Sequence, residues 1–153
     1  MTESENIKNK IYSIFSDVAT SIGYSPLHGK IIGVLLVKNK SLSLQEIAEE
    51  TGYSSSMISL SLDLLDVIGI IKRVKKTGDR KLYIKLSGDL LECLKKAIII
   101  KLEKGIDTAL SDFETERKKL NEKDPALKTI ETLEREIKRM EKYVKLLSNI
   151  RLP

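Results

Sequence analysis

The sequence is short of the residues from which reactive centres are built: it has one cysteine, one histidine and no tryptophan. Cys93 alone excludes an internal disulfide, and with only His28 beside it a zinc site made purely of protein ligands has too few donors. No Ser–His or Cys–His pair has a third member, and there is no glycine-rich phosphate loop and no metal-ligand spacing. The carboxylates are plentiful but lie on charged helix faces. The inventory therefore points away from an enzyme, with no catalytic residue, no cofactor and no metal expected. Long apolar runs are missing too. The stretches Ile31 to Val37, interrupted by Gly33, and Ala97 to Ile100 are the longest, far below the ~20 residues that cross a bilayer. The opening MTESENIKNK has acids and amides where a secretory signal needs basic charge and an apolar core, so a cytoplasmic protein is expected, with no membrane attachment.

What is present is a folded chain of 153 residues, 41% hydrophobic and 32% charged, of the size of one compact domain. Its net charge of +5 is unevenly spread. Residues 1–69 carry five basic and eight acidic side chains, and residues 87–153 carry fifteen and thirteen. The 17 residues between them hold seven, Lys72, Arg73, Lys75, Lys76, Arg80, Lys81 and Lys85, against Asp79 alone. Scattered lysines mean a solvated surface; a concentrated basic strip points to a polyanion.

Glycine, proline and serine divide the chain cleanly. Ile7, Ile11, Ile14, Val18 and Ile22 recur at helical spacing over residues 5–22, with Gly23 as a stop. Ser25-Pro26 reads as an N-cap and first helical proline of a largely buried helix reaching about Val37. Ser43-Leu44-Gln45-Glu46 matches a capping box, starting a short helix with Ile47 and Ala48 inward and Gly52 at its end. Tyr53 is expected to plug the following turn. Ser54 then caps a further short helix whose inward face is Ile58, Leu62, Leu65 and Ile68. After Gly69 the period becomes alternating, and two β-rich runs around Thr77-Gly78-Asp79-Arg80 read as a hairpin. Ser87 is expected to cap a long helix over 88–121, with Leu91, Leu94, Ile98, Leu102, Ile106, Ala109, Phe113 and Leu120 apolar. Asp124-Pro125 restarts the chain as a final helix to about Asn149. The fold class is mainly α: a winged helix-turn-helix with a two-stranded β wing, plus long N- and C-terminal helices. The expected organisation is 1–24 as an N-terminal dimerisation helix, 25–86 as a DNA-binding domain and 87–153 as a helical dimerisation region.

In a helix-turn-helix the second short helix enters the major groove, which alone displays an unambiguous base code. The groove-facing positions would be Ser54, Ser55, Ser56, Met57, Ser59, Leu60 and Asp63. Serines bond phosphates or base edges, and Met or Leu touches a thymine methyl. No Arg or Lys occurs between Thr51 and Ile71, so the Arg-to-guanine contact is unavailable from this helix. Lys72, Arg73, Lys75, Lys76, Arg80 and Lys81 on the hairpin would reach phosphates or the minor groove, supplying affinity with little sequence information. The competing reading is a winged-helix protein-interaction module whose serines and basic hairpin are solvated surface.

The run IAEETGYSSSMISLSLDLLDVIGIIKRV, followed by GDRKLYIKL, resembles the MarR superfamily of transcriptional regulators, and the upstream PLHGKIIGVLLV resembles its GbsR-like branch. The resemblance covers about residues 5–90. It departs from the family pattern at Ser55, Ser56 and Met57, where a basic residue, Gly and Asn are common. The resemblance implies a homodimeric regulator, usually a repressor, on a pseudo-palindromic double-stranded operator, with a small-molecule effector in some members. Such an effector would bind between the reading and dimerisation regions and change the separation of the reading heads.

The last helix carries a heptad with Ile130, Ile137 and Val144 at a and Leu133, Met140 and Leu147 at d. Glu136 at g would face Glu141 at e in a parallel zipper, which favours antiparallel or heterologous packing against the 88–121 helix and the first helix of either subunit. The dimer interface is expected to draw on Ile7, Ile11, Ile14, Ile98 and Leu102 together with those heptad positions; an internal core helix is the alternative. His28 is expected to cap or pack, and Cys93 to be a small buried hydrophobe. Gly29 and Gly33, spaced G-x-x-x-G, predict close helix contact. Tyr12, Tyr24, Tyr53 and Tyr83 could line a ligand pocket, but that many tyrosines are expected in a small core.

Overall fold

The computed structural model describes residues 1–153, and the chain divides into two compact units, 1–93 and 94–153. The elements run α1 (Glu3–Ser21), α2 (Pro26–Lys38), β1 (Leu42–Ser43), α3 (Leu44–Thr51), α4 (Ser55–Ile68), β2 (Ile71–Lys75), β3 (Leu82–Leu86), α5 (Leu90–Arg117) and α6 (Pro125–Ser148). No helix is long and apolar enough to cross a membrane.

Local sequence explains most helix starts. Thr2 and Glu5 form a capping box on α1, two residues before the helix start read from periodicity alone. Ser25 caps α2: its hydroxyl accepts from the Leu27 amide at 3.2 Å, and the Ser25 amide donates to His28 Nδ1 at 3.2 Å. The Ser43–Glu46 box is formed in both directions, at 3.1 and 2.7 Å, and these bonds hold the Glu46 carboxyl below its ordinary range. Gly52 and Gly69, with φ of 76° and 87°, end α3 and α4 in the left-handed region that favours glycine. At α5 the cap is Asp89, whose Oδ1 accepts from the Leu91 and Glu92 amides at 2.7 and 3.2 Å. Ser87 instead extends the sheet ladder, its amide donating to Ile70 O at 2.8 Å.

The first unit has a closed core. Ile31, Val34, Ile47, Ile58, Leu62, Leu65, Ile68 and Ile71 are almost wholly buried, and the inward face expected for α4 is the observed one. Gly29 and Gly33 let α1 lie directly on α2: a Cβ at Gly29 would stand 2.0 Å from Phe15 O, and one at Gly33 3.3 Å from the Tyr12 ring. Tyr53 does not plug the turn after α3. That place is taken by buried Thr51, whose hydroxyl donates to Ile47 O at 2.8 Å; Tyr53 remains partly exposed with Lys30 Nζ 5.8 Å above its ring.

The sheet has three antiparallel strands in the order β1-β3-β2, so the wing hairpin is joined by a third strand that the sequence reading did not contain. β1 is only two residues long, pairing Leu42 with Ile84 and Ser43 with Tyr83; too short for an alternation signal, it exists because β3 offers an edge.

In the second unit α5 and α6 run antiparallel. Arg117 pairs with Glu134 near the turn, Ile106 and Val144 flank one cleft midway, and Lys95 Nζ donates to Ile150 O at 2.7 Å near the far end. The connection is sharp because Asp124 caps α6, accepting from the Ala126 amide at 2.9 Å, with Pro125 at the first helical position.

Candidate nucleic-acid interface

The candidate site is built from the exposed face of α4 and the wing, both in the first unit. α4 presents Ser55, Ser56, Met57, Leu60 and Asp63 to solvent, while Ser59 is half-buried. Ser54, expected to read DNA, is committed to the fold: its Oγ accepts from the Met57 amide at 3.4 Å and lies 3.2 Å from Ser56 Oγ.

The wing pairs Ile71 with Leu86, Lys72 with Lys85, Arg73 with Ile84, Val74 with Tyr83 and Lys75 with Leu82. Ile71 and Ile84 point to the core while Lys72, Lys75, Arg80, Lys81 and Lys85 stand exposed. The Lys72–Lys85 pairing places like charges directly across a ladder, which costs stability. A fold that accepts this repulsion keeps a positive field for an outside anion.

The wing tip is organised by Asp79. Its Oδ1 accepts from the Lys81 amide at 2.9 Å and its Oδ2 from the Tyr83 hydroxyl at 2.8 Å. These two bonds hold the Asp79 carboxyl below its ordinary range, and the bond to Asp79 pushes the Tyr83 hydroxyl up. Lys76 Nζ, expected to reach a phosphate or the minor groove, sits 3.8 Å above the Tyr83 ring and is stacked in place.

Arg73 departs most from expectation. Its Nη2 donates to Asp63 Oδ1 at 2.6 Å and its Nη1 to Asp66 Oδ2 at 3.2 Å. The guanidinium therefore faces α4, held between two carboxylates. The sequence did contain a signal for this: Asp63 and Asp66 are one turn apart, and Arg73 is the residue of choice for bridging two carboxylates.

A second polar cluster, unforeseen from sequence, ties three helices together. Glu50 of α3 accepts from the Tyr12 hydroxyl at 2.8 Å and pairs with Lys8 at 3.0 Å and Lys38 at 3.3 Å. Burial pushes the Glu50 carboxyl up, but hydrogen bonds from Lys8, Tyr12 and Lys38 outweigh it and bring it down to about 2. Burial, then the bond to Glu50, pushes the Tyr12 hydroxyl well up.

Of the residues expected at a dimer interface, Ile7, Ile14, Ile98, Leu102, Leu133 and Met140 are exposed, and Ile11, Ile130, Ile137 and Leu147 are half-buried. Val144 is corrected: at 2% exposure it lies beside Ile106 of its own chain and has nothing left to offer a partner. The reason is that the a row of the heptad turns toward α5 of the same chain. His28 caps α2 as expected, and Cys93 is buried with its thiol 3.5 Å from Gly69 O.

No protein-family model and no curated protein sequence matches the chain. Among solved structures, that of a transcriptional regulator is similar over 90% of this chain and 92% of its own, with a TM-score of 0.64 and 22% identity. A mutant MepR of Staphylococcus aureus bound to an oligodeoxyribonucleotide is similar over 94% and 99%, with a TM-score of 0.46 and 17% identity. Apo MarR from Escherichia coli is similar over 92% and 97%, with a TM-score of 0.45 and 14% identity. The first likeness, with the element order and sheet described above, establishes the fold: a mainly helical winged helix with a small antiparallel sheet.

Proposed function

We propose that the chain is a transcriptional regulator that binds specific double-stranded DNA as a homodimer, most simply as a repressor, with α4 in the major groove and the wing on the phosphate backbone or minor groove. The carrying observation is the wing itself: Lys72, Lys75, Arg80, Lys81 and Lys85 are exposed, unpaired with any carboxylate, and attached to the same sheet that braces α4. The motif resemblance to the MarR superfamily, in particular its GbsR-like branch, supports the same reading, as does the likeness in fold to a solved transcriptional regulator. The exposed Leu133 and Met140 of α6 and Ile98 and Leu102 of α5 supply the apolar surface for a second copy. A two-fold pair would set its reading helices one DNA turn, ~34–36 Å, apart on a pseudo-palindrome. A small-molecule effector acting on operator affinity belongs to this proposal through the resemblance, and titration calorimetry with and without operator tests it.

The decisive experiment is a fluorescence-anisotropy titration of random and promoter-derived duplexes at two salt concentrations. The wild-type chain binds in a salt-sensitive way and prefers some fragments. The Lys75→Ala/Lys76→Ala/Arg80→Ala variant binds all duplexes more weakly, its log–log salt slope flattened by as much as about five for a dimer. A wild-type chain that forms a dimer but binds no duplex at low salt overturns the proposal in favour of a protein-interaction module.

A further inference from the structure

α4 combines three features that DNA binding alone does not explain. Its exposed side carries an apolar stripe, with Met57 49%, Leu60 74% and Val67 71% exposed. It carries no cation at all, since no Lys or Arg lies between Thr51 and Ile71. It carries two carboxylates, Asp63 and Asp66, both bonded to one guanidinium that reaches across from β2. The remaining large aliphatic residues of this helix, Ile58, Leu62, Leu65 and Ile68, are buried, with only Leu64 half-buried. Exposed aliphatics at the groove-facing N-terminal end are therefore surplus to packing.

Resting on the function proposed above, we infer that α4 reads its operator through the methyl groups of thymine, with Met57 and Leu60 as the reading residues and Arg73 as the positioning residue that makes their approach possible. The major groove offers an aliphatic side chain only one apolar group, the C5 methyl of thymine; every other distinguishing feature there is a polar donor or acceptor. Met57 and Leu60 are three residues apart, hence neighbours on one helical face, and reach adjacent base steps. Ser54 is occupied by the cap and lies 3.2 Å from Ser56 Oγ, which leaves exposed Ser55 as the polar partner at that end.

Arg73 completes the arrangement. A helix bearing two carboxylates and no cation is repelled as it enters a groove walled by phosphates. The guanidinium contacts an oxygen of each carboxylate, at 2.6 and 3.2 Å, and so removes one of the two negative charges while fixing both side chains toward the wing. The wing's remaining cations then meet the backbone while the apolar stripe faces the bases.

The test begins with duplexes selected by the full-length protein from a random pool. Each thymine is then replaced by deoxyuridine, which deletes the methyl and nothing else. Affinity falls about three- to fivefold for each methyl under Met57 or Leu60, the worth of one buried carbon. A 5-methylcytosine–guanine pair at such a step binds better than the cytosine–guanine pair, because it presents a methyl in the same place. The Met57→Ala/Leu60→Ala variant still binds random duplex but no longer distinguishes thymine from deoxyuridine. Arg73→Ala loses about tenfold in affinity for every duplex, and adding Asp63→Asn and Asp66→Asn restores most of it, a rescue that loss of a direct phosphate contact would not show. Sequence-selective binding that ignores deoxyuridine overturns the inference and leaves the regulator standing. Absence of all duplex binding at low salt overturns the regulator itself. Failure of the asparagine rescue removes Arg73 from the positioning role.

Discussion

The two units of the chain solve burial differently. Residues 1–93 bury a continuous set of large aliphatics from α2, α3, α4 and the sheet, several with no measurable exposure. Residues 94–153 bury only Ala97, Ile106 and Val144 among hydrophobic residues, while Leu133, Met140, Tyr143, Leu146 and Ile150 face solvent. Two antiparallel helices can bury one stripe each and no more, whereas three short helices under a sheet enclose a volume. The first unit thus has the makings of a self-sufficient fold. The second has the anatomy of half an interface, which is why the proposed dimer is placed there.

The comparison is broken most severely by closing the gap between α1 and α2. Gly29→Ala puts a Cβ where Phe15 O already stands, at 2.0 Å, and is expected to cost about 3 kcal/mol or more in chemical denaturation. Gly33→Ala, against the movable edge of Tyr12 at 3.3 Å, costs about 1 kcal/mol. Equal effects of the two would show that the helices can part, and that this core is less rigid than its burial suggests.

Next in size is Glu50. Its carboxyl is lowered in the fold from the ordinary 4.5 to about 2, so its contribution to stability is fully present above pH ~4.5 and disappears as the pH falls toward 2. After allowance for its partial exposure that contribution is about 2 kcal/mol. Urea denaturation at pH 6 and pH 3 checks it: the wild type loses stability between the two, and Glu50→Gln, already weakened at pH 6, loses correspondingly less.

The second unit gives a test of a different kind. Leu133→Asp with Met140→Asp leaves far-UV helicity and the first unit's melting nearly unchanged but weakens dimerisation at least about 100-fold, as expected for burying two aliphatic side chains. Sedimentation equilibrium reads this directly, and an unaltered dimer mass would move the interface elsewhere. The smallest effect is at the chain start. Thr2→Ala deletes one side of the capping box on α1 and costs about 1 kcal/mol or less, seen as fraying of residues 3–6 by hydrogen exchange.

Much of this was legible from the residues. The N-caps at Ser25, Ser43 and Ser54, the proline restart at Pro125 and the buried row of α4 follow from spacing along one helix, and spacing is a property of sequence. Misreadings occurred where a choice depended on space. Ser87 and Asp89 are both competent caps, and the sheet decided between them by taking the Ser87 amide for its ladder. Both rows of the α6 heptad are apolar, and the proximity of α5 assigned Val144 to the inside. β1 carries no periodic signal at all in its two residues.

What the sequence determined by itself is therefore the order of the helices and most of their ends, the location of the hairpin, and the concentration of charge that points to a polyanion. These rest on interactions between residues three or four apart, or on simple composition. Which partners the charged residues take was decided only by the tertiary structure. Arg73 could serve a phosphate or a carboxylate, and Glu50 could face water or three donors. Long side chains of opposite charge choose by distance, and distance across elements is set only once the helices and the wing have packed.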